Sequence, residues 1–400
     1  MTDSAAALAE VMAGERLRIV ASLIRTTGNW DLAEDAVADA AERALRRWPV
    51  DGVPANPGAW LTTVATRRAL DVLRRGTMER HKLEEVGRDP TAGEAAPGED
   101  DRLRLVLTCC HPALSLEARV ALTLKVVAGL PTDAVARAFL VSEATMAQRL
   151  LRAKQKIANA GIPYRVPGHE DLAERLDGAL RVVYLVFTEG YAAHATPLAE
   201  EALRLARLLV ELVPRSDEVR CLLALLLLQH SRRNARLVKD EPVTLEHQDR
   251  STWDAALVAE ARRLLARRVE RGRGPYRLQA ELAAVHAAAP TAEATDWPAI
   301  VALYDELLGV APSPVVELNR AVAIGMSDGP VAGLMALDGA AGHPRLADHP
   351  LVPAARGDLL ARAGLVDEAA ATLLEAADLA PTDRERRALL RRATEIQETP

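Results

Sequence analysis

The chain has 400 residues, 49% hydrophobic and 26% charged, with a formal net charge of −6; this is the profile of globular domains and excludes a uniformly basic coat for nucleic acid. The longest unbroken apolar run, "CLLALLLL" at 221–228, falls short of the about 20 residues that cross a bilayer, and no basic-then-apolar leader opens the chain, so neither a membrane span nor a signal peptide is expected. Three cysteines cannot pair evenly, which points to a reducing cytoplasm.

Apolar residues recur at three- and four-residue spacing along nearly the whole chain, which predicts an all-α protein. In "WDLAEDAVADAAERALRR" (30–47), Asp31 and Glu34 form a candidate capping pair. Leu32, Ala36, Val37, Ala40, Ala44 and Leu45 line one face, leaving Glu34, Asp35, Asp39 and Glu42 on another. A loop, "WPVDGVPANPG" (48–58), precedes "PGAWLTTVATRRALDVLRR" (57–75). There Trp60, Leu61, Val64, Ala65, Leu70 and Leu73 suit burial, while Arg67, Arg68, Arg74 and Arg75 make a basic surface.

Two breaks follow. Residues 86–100, "VGRDPTAGEAAPGED", have no apolar period and read as a flexible acidic linker; "GIPYRVPGHE" (161–170) ends a long helix with two prolines and two glycines. The provisional domains are therefore 1–85, 101–160 and 170–400. In "LTCCHPALSL" (107–116) the two cysteines and the histidine point in different directions on a helix and lack a fourth ligand, so a packed interior is favoured over a metal or redox site.

The segment "LPTDAVARAFLVSEATMAQRLLRAKQKIA" (130–158) has a helix-turn-helix pattern. Thr132 or Asp133 caps a short helix that turns Ala134, Val135, Ala138 and Phe139 inward, and Ser142 caps a second. On the second, Met146, Leu150 and Ile157 pack below, while Ser142, Glu143, Thr145, Gln148, Arg149 and Arg152 form a polar face that either meets base edges, with Lys154 and Lys156 at phosphates, or is the solvated basic face of an ordinary helical hairpin. Beyond residue 170, "RGDLLARAGLVDEAAATLLEAADLAP" (356–381) fits a tetratricopeptide frame, with Gly357, Ala369, Ala376 and Pro381 at its small-residue and terminal-proline positions. Elsewhere the frame is eroded, and a helical-hairpin array is expected.

Acidic helix, proline-rich loop, basic helix, linker and helix-turn-helix together resemble the extracytoplasmic-function class of bacterial sigma factors, in the subgroup with a C-terminal tetratricopeptide-like extension. The resemblance continues through "GIPYRVP", "VVYLVFTEGYAAH", "HQDRSTWD", "GPYRLQAELAAVHA" and "DWPAIVALYDELLGVAPSPVVELNRAVA". It implies sigma region 2 in 1–85 and region 4 in 101–160, with core RNA polymerase and promoter DNA as partners and no membrane attachment; at the entry into region 4, Leu103, Val106, Leu107 and Cys110 would face inward, with Pro112 ending one helix and Ser115 capping the next. Asp35, Asp39, Glu34 and Glu42 would meet polymerase, and the arginines of 67–75 and the polar face of 142–156 would meet DNA. Arg67 departs from the asparagine of many relatives. Tyr184, Phe187, Glu189 and Tyr191 are candidates for contact between the extension and the sigma regions, or else fill the first hairpin's core. The extension is also expected to bind a protein partner. No cofactor, metal site or catalytic motif is expected, and the rival reading is a stand-alone DNA-binding regulator.

Overall fold

A computed structural model describes residues 3–81, 100–139, 141–192, 196–238, 241–267, 272–346 and 349–398. The expected linker therefore lies outside the described residues except for Asp100. Among the described residues the fold is all-helical, as the periodicity predicts, apart from a hairpin of two-residue strands, β1 (Leu237–Val238) and β2 (Glu241–Pro242), in antiparallel register. It divides into two compact units, Met1–Leu212 and Val213–Pro400.

In the first unit, α1 (Asp3–Thr27), α2 (Trp30–Asp51) and α3 (Pro57–His81) pack on one another. Ile19, Val20, Leu23 and Ile24 of α1 meet an alanine-rich stripe, Ala33, Ala36, Val37, Ala40 and Ala44, with Leu61, Ala65 and Ala69 of α3. Small side chains let the helices approach closely, and the stripe continues to Trp48, which is 3% exposed. That course turns Leu45 outward, at 53% exposure, against the expectation of burial. Two further expectations change here. Asn29, not Asp31, caps α2, its side chain accepting from Leu32 N at 3.0 Å. The helix also runs through Pro49 to Asp51, since in the last turn only one backbone donor is lost, which shortens the expected loop to Gly52–Asn56. Asn56 then caps α3 by accepting from Ala59 N at 3.0 Å.

Next come α4 (Asp101–Cys109), α5 (Leu116–Leu122), a π-helical turn (Thr123–Val127), α6 (Thr132–Ala138) and α7 (Glu143–Asn159). Ser115 and Ser142 cap α5 and α7 as the sequence predicts. Neither Thr132 nor Asp133 caps α6: Pro131 holds the N-cap position without a side-chain bond, and Asp133 pairs with Arg137. Val135 and Ala136 are buried, whereas Ala138, the last residue of α6, is exposed. The hairpin α8 (His169–Ala192) and α9 (Thr196–Leu212) completes this unit by packing on α4, with α8 also against α5. A Cβ at Gly178 would sit 3.3 Å from the Cys110 carbonyl, and one at Gly190 2.6 Å from Ala199 N, so both glycines set helix approach.

The second unit begins with α10 (Asp217–Ser231), buried on nearly every face, followed by α11 (Ala255–Ala266) and α12 (Pro275–Ala288), both packed on it. Glu218 caps α12 from a distance: its carboxylate accepts from Tyr276 N at 2.9 Å and Arg277 N at 3.1 Å. Any Cβ at Gly274 would collide with that carboxylate. From α13 (Trp297–Val310) through α14 (Pro314–Ser327), α15 (Pro330–Ala341), α16 (Leu351–Arg362), α17 (Val366–Asp378) and α18 (Asp383–Glu398), each helix packs on the next. The tetratricopeptide frame falls on α16 and α17: Ala369 and Ala376 are fully buried, and a Cβ at Gly357 would meet Leu373 Cγ at 2.7 Å.

Candidate nucleic-acid interface

Between α2 and α3 lies an open groove of about 600 Å³. Arg43, Arg46 and Arg47 line it from α2; Ala59, Trp60, Thr63, Val64 and Arg67 line it from α3. Trp60, expected in the core, is only half-buried. Trp48, the first residue of the expected loop, is the buried ring, set edge-on to Trp60 with centroids 5.6 Å apart. The reversal follows from the alanine stripe, which carries position 48 inward and leaves the start of α3 at the rim. Four guanidinium groups around one half-exposed indole suit a polyanion with stackable rings. Arg46 also pairs with Glu42 one turn away, an exposed interaction of little strength. Arg74 and Arg75 are exposed further along α3.

A second polar surface lies on α7. Met146, Leu150, Ala153 and Ile157 are buried and hold the helix against its neighbours. Ser142, Glu143, Thr145, Gln148, Arg152 and Lys156 are exposed, and Arg149 is half-exposed with Glu117 at 3.7 Å. Ser142 is occupied in capping, its Oγ accepting from Thr145 N.

The remaining candidates pair with one another. Lys154, expected at phosphates, donates to Asp31 at 2.6 Å and Glu34 at 2.8 Å and is 12% exposed. Burial disfavours its ammonium, yet the pull of Glu34 and Asp31 outweighs that cost and raises its pKa. Asp39 pairs with Arg68 in a partly buried contact between α2 and α3. Only Asp35 and Glu42 among the four acidic candidates stand exposed. Glu34 is also 3.8 Å from Arg16, whose Nη1 donates to Val126 O at 3.0 Å. That carbonyl is free because the next residue in π-helical register is Pro131, which has no N–H, and Leu130 N is bonded to Leu124 O. Two more contacts bind α1 to α4. Arg25 pairs with Asp101 at 3.0 Å, and the buried Tyr164 hydroxyl lies 3.0 Å from Ala21 O and 3.3 Å from Asp101 O.

Residues 13–78 match the family described as Sigma-70 region 2, and residues 104–157 match Sigma-70, region 4. Residues 175–269 match a family of unknown function, DUF6596. An uncharacterized protein of Rhizobium meliloti (strain 1021) is 42% identical over 371 residues, covering 88% of this chain and 87% of its own. The chain belongs to the extracytoplasmic-function sigma factors. The crystal structure of yeast Tom70 covers 92% of the sigma factor and 80% of its own chain at 13% identity and a TM-score of 0.34.

In this sigma factor the α2–α3 groove falls within region 2, and α7 is the second helix of the helix-turn-helix in region 4. Sequence reasoning missed Arg43, Arg46 and Arg47, although their i, i+3, i+4 spacing beside the alanine stripe marks a common face. Arg16 and Tyr164 carried no local signal, because their partners are distant in sequence. The cysteines behave as packing: Cys109 and Cys110 are buried, and burial raises both thiol pKa values, that of Cys110 to about 11. Of the proposed contact residues, Phe187 is 1% exposed and stacks on Tyr191 at 5.4 Å, inside the α8–α9 hairpin; on the same helix Tyr184 is half-buried and Glu189 is exposed. Among the described residues no group of His, Cys, Asp and Glu side chains is placed to hold a metal ion, and no helix is long and apolar enough to cross a membrane.

Proposed function

We propose that this sigma factor binds core RNA polymerase in the cytoplasm, directs it to specific promoters and makes no covalent bond itself. The observation that carries the reading is the groove of Arg43, Arg46, Arg47, Arg67 and Trp60, set beside an acidic helix face that includes Asp35 and Glu42. Opened single-stranded DNA would lie in the groove, its phosphates on the arginines and one base on Trp60; such stacking contributes about 1–3 kcal/mol. Asp35 and Glu42 would orient a basic surface of polymerase, where opposed charge raises on-rate and fixes register. The exposed face of α7, with Gln148, Arg149 and Arg152, would read the upstream promoter element in the major groove. The C-terminal unit would bind a protein partner and regulate this activity.

The test is run-off transcription with reconstituted polymerase on promoters mapped after overproduction. Trp60→Ala is expected to lower open-complex formation about tenfold or more while leaving polymerase binding intact. Each of Arg46→Ala and Arg47→Ala should reduce the salt slope of strand binding by about 0.7. Binding of promoter duplex without any association with core polymerase would instead identify a stand-alone regulator.

A further inference from the structure

We propose that the second unit holds a binding site for one small oxyanion, the phosphate or carboxylate group of a metabolite, formed by Arg232, Arg250, Trp253 and His286. The site lies wholly within the extension, so it stands or falls independently of the sigma reading.

Separate stretches of the extension meet here. "HQDRSTWD" supplies Arg250 and Trp253, "GPYRLQAELAAVHA" supplies His286 with Trp297 of α13 against its ring, and Arg232 stands at the end of α10. Arg232 and Arg250 both lie over the Trp253 ring, their guanidinium carbons 5.7 and 5.3 Å from its centroid. The indole itself is 9% exposed. Arg250 is fixed at the end of α12: its Nη1 donates to His286 O at 2.5 Å and Ala289 O at 2.8 Å, and its Nη2 to Thr295 Oγ1 at 3.3 Å. Those acceptors are neutral. Glu293, the acid whose field reaches Arg250, is exposed and makes no ion pair with it among the described residues.

Two features mark an anion site rather than a packed core. First, like charges are held together: burial and then Arg232 lower the pKa of Arg250, and both guanidinium groups add to desolvation in pushing that of His286 down to about 4. Second, Arg250 Nε, Trp253 Nε1 and His286 Nδ1 are all enclosed and have no hydrogen-bond partner among the described residues. Enclosed donors without acceptors are costly, and a native fold keeps few of them. One oxyanion answers both features. It accepts from the Nε–H of Arg250 and the Nε1–H of Trp253, and its charge offsets the two guanidinium groups. With the anion in place His286 takes up a proton and donates through Nδ1–H. Because the three nitrogens are shielded from solvent, entry requires a side-chain shift. Arg250 is tied by three bonds, whereas Arg232 is half-buried at the C-cap of α10 and is the member placed to move.

The experiment titrates the full chain by calorimetry with sodium sulfate, a tetrahedral dianion that does not titrate in the working range, and with sodium acetate, at near-neutral pH and constant ionic strength. One saturable site is expected. Arg232→Gln should weaken it about tenfold or more, and so should Trp253→Phe, which removes the N–H and keeps an aromatic ring. Trp60→Ala, in the separate groove of region 2, should leave it unchanged. Tighter binding of sulfate assigns the site to a phosphate group, and tighter binding of acetate assigns it to a carboxylate. Sulfate titrations at mildly acid pH, in buffers of different ionisation enthalpy, should show proton uptake on binding that is lost in His286→Asn. Circular dichroism and a cooperative melt establish that each variant folds. Absence of saturable binding of either anion overturns the proposal. So does binding of equal strength in folded Arg232→Gln and Trp253→Phe proteins, which places the anion on other arginines.

Discussion

At Gly129 the backbone turns with φ +77°, and a Cβ there would stand 2.8 Å from Arg16 Nη1. Left-handed strain and steric conflict act together at this position, so Gly129→Ala should lower unfolding free energy by about 1–3 kcal/mol in a urea titration. In the Arg16→Ala background the steric part should vanish and the backbone part persist, giving a measurable coupling between the two substitutions. The paired cysteines make the opposite kind of residue. Replacing Cys109 and Cys110 with alanine should cost roughly 1–2 kcal/mol of packing and leave promoter choice unchanged in run-off assays. Their inertness was legible, because three neighbouring donors on one helix cannot converge on a metal. The roles of Trp48 and Trp60 were not: Trp60 fits an apolar helical pattern and Trp48 opens a proline-rich stretch, and only the alanine stripe, by drawing Trp48 inward, decides which ring faces the groove.

Helices themselves were legible from spacing, and so were the caps made by neighbours in sequence, Ser115 and Ser142. Where a side chain is claimed by a distant partner, local rules gave the wrong role. Asp31 and Glu34 fit a capping box yet serve Lys154, and Lys154 fits a phosphate contact yet serves them. The same kind of long-range contact sets a pH response in the second unit. His286 of α12 is half-buried beside Arg250, sits edge-on to Trp297, and has its pKa pushed down to about 4, first by desolvation and then by Arg232 and Arg250. The unfolded histidine binds its proton near pH 6.5, so the native unit loses stability as pH falls from about 6.5 towards 4, and keeps it above that window. By about pH 4.5 the loss should approach 2 kcal/mol. Replacing His286 by Phe should flatten this slope in urea midpoints measured across the window; an unchanged slope would assign the effect to another group.

For the whole molecule, the division after Leu212 matters more than the proline-rich break at 161–170, which the sequence makes more conspicuous. Composition reveals where a chain bends but not which helices then return to cover an earlier face. The α8–α9 hairpin packs on α4 and α5, with Gly178 close against the Cys110 carbonyl. A chain ending at residue 212 should therefore melt cooperatively and retain polymerase binding, whereas one ending at 165 should melt several degrees lower and self-associate through the uncovered face. Differential scanning calorimetry and light scattering on the two truncations decide this. The distant cap on α12 has a consequence for how the second unit is made. Starting a helix is the expensive step, fixing several residues for a single bond, and α12 receives its first two acceptors from a carboxylate encoded 58 and 59 residues earlier. During synthesis Glu218 leaves the ribosome before Tyr276, so the carboxylate that caps α12 is already part of the chain when that helix emerges.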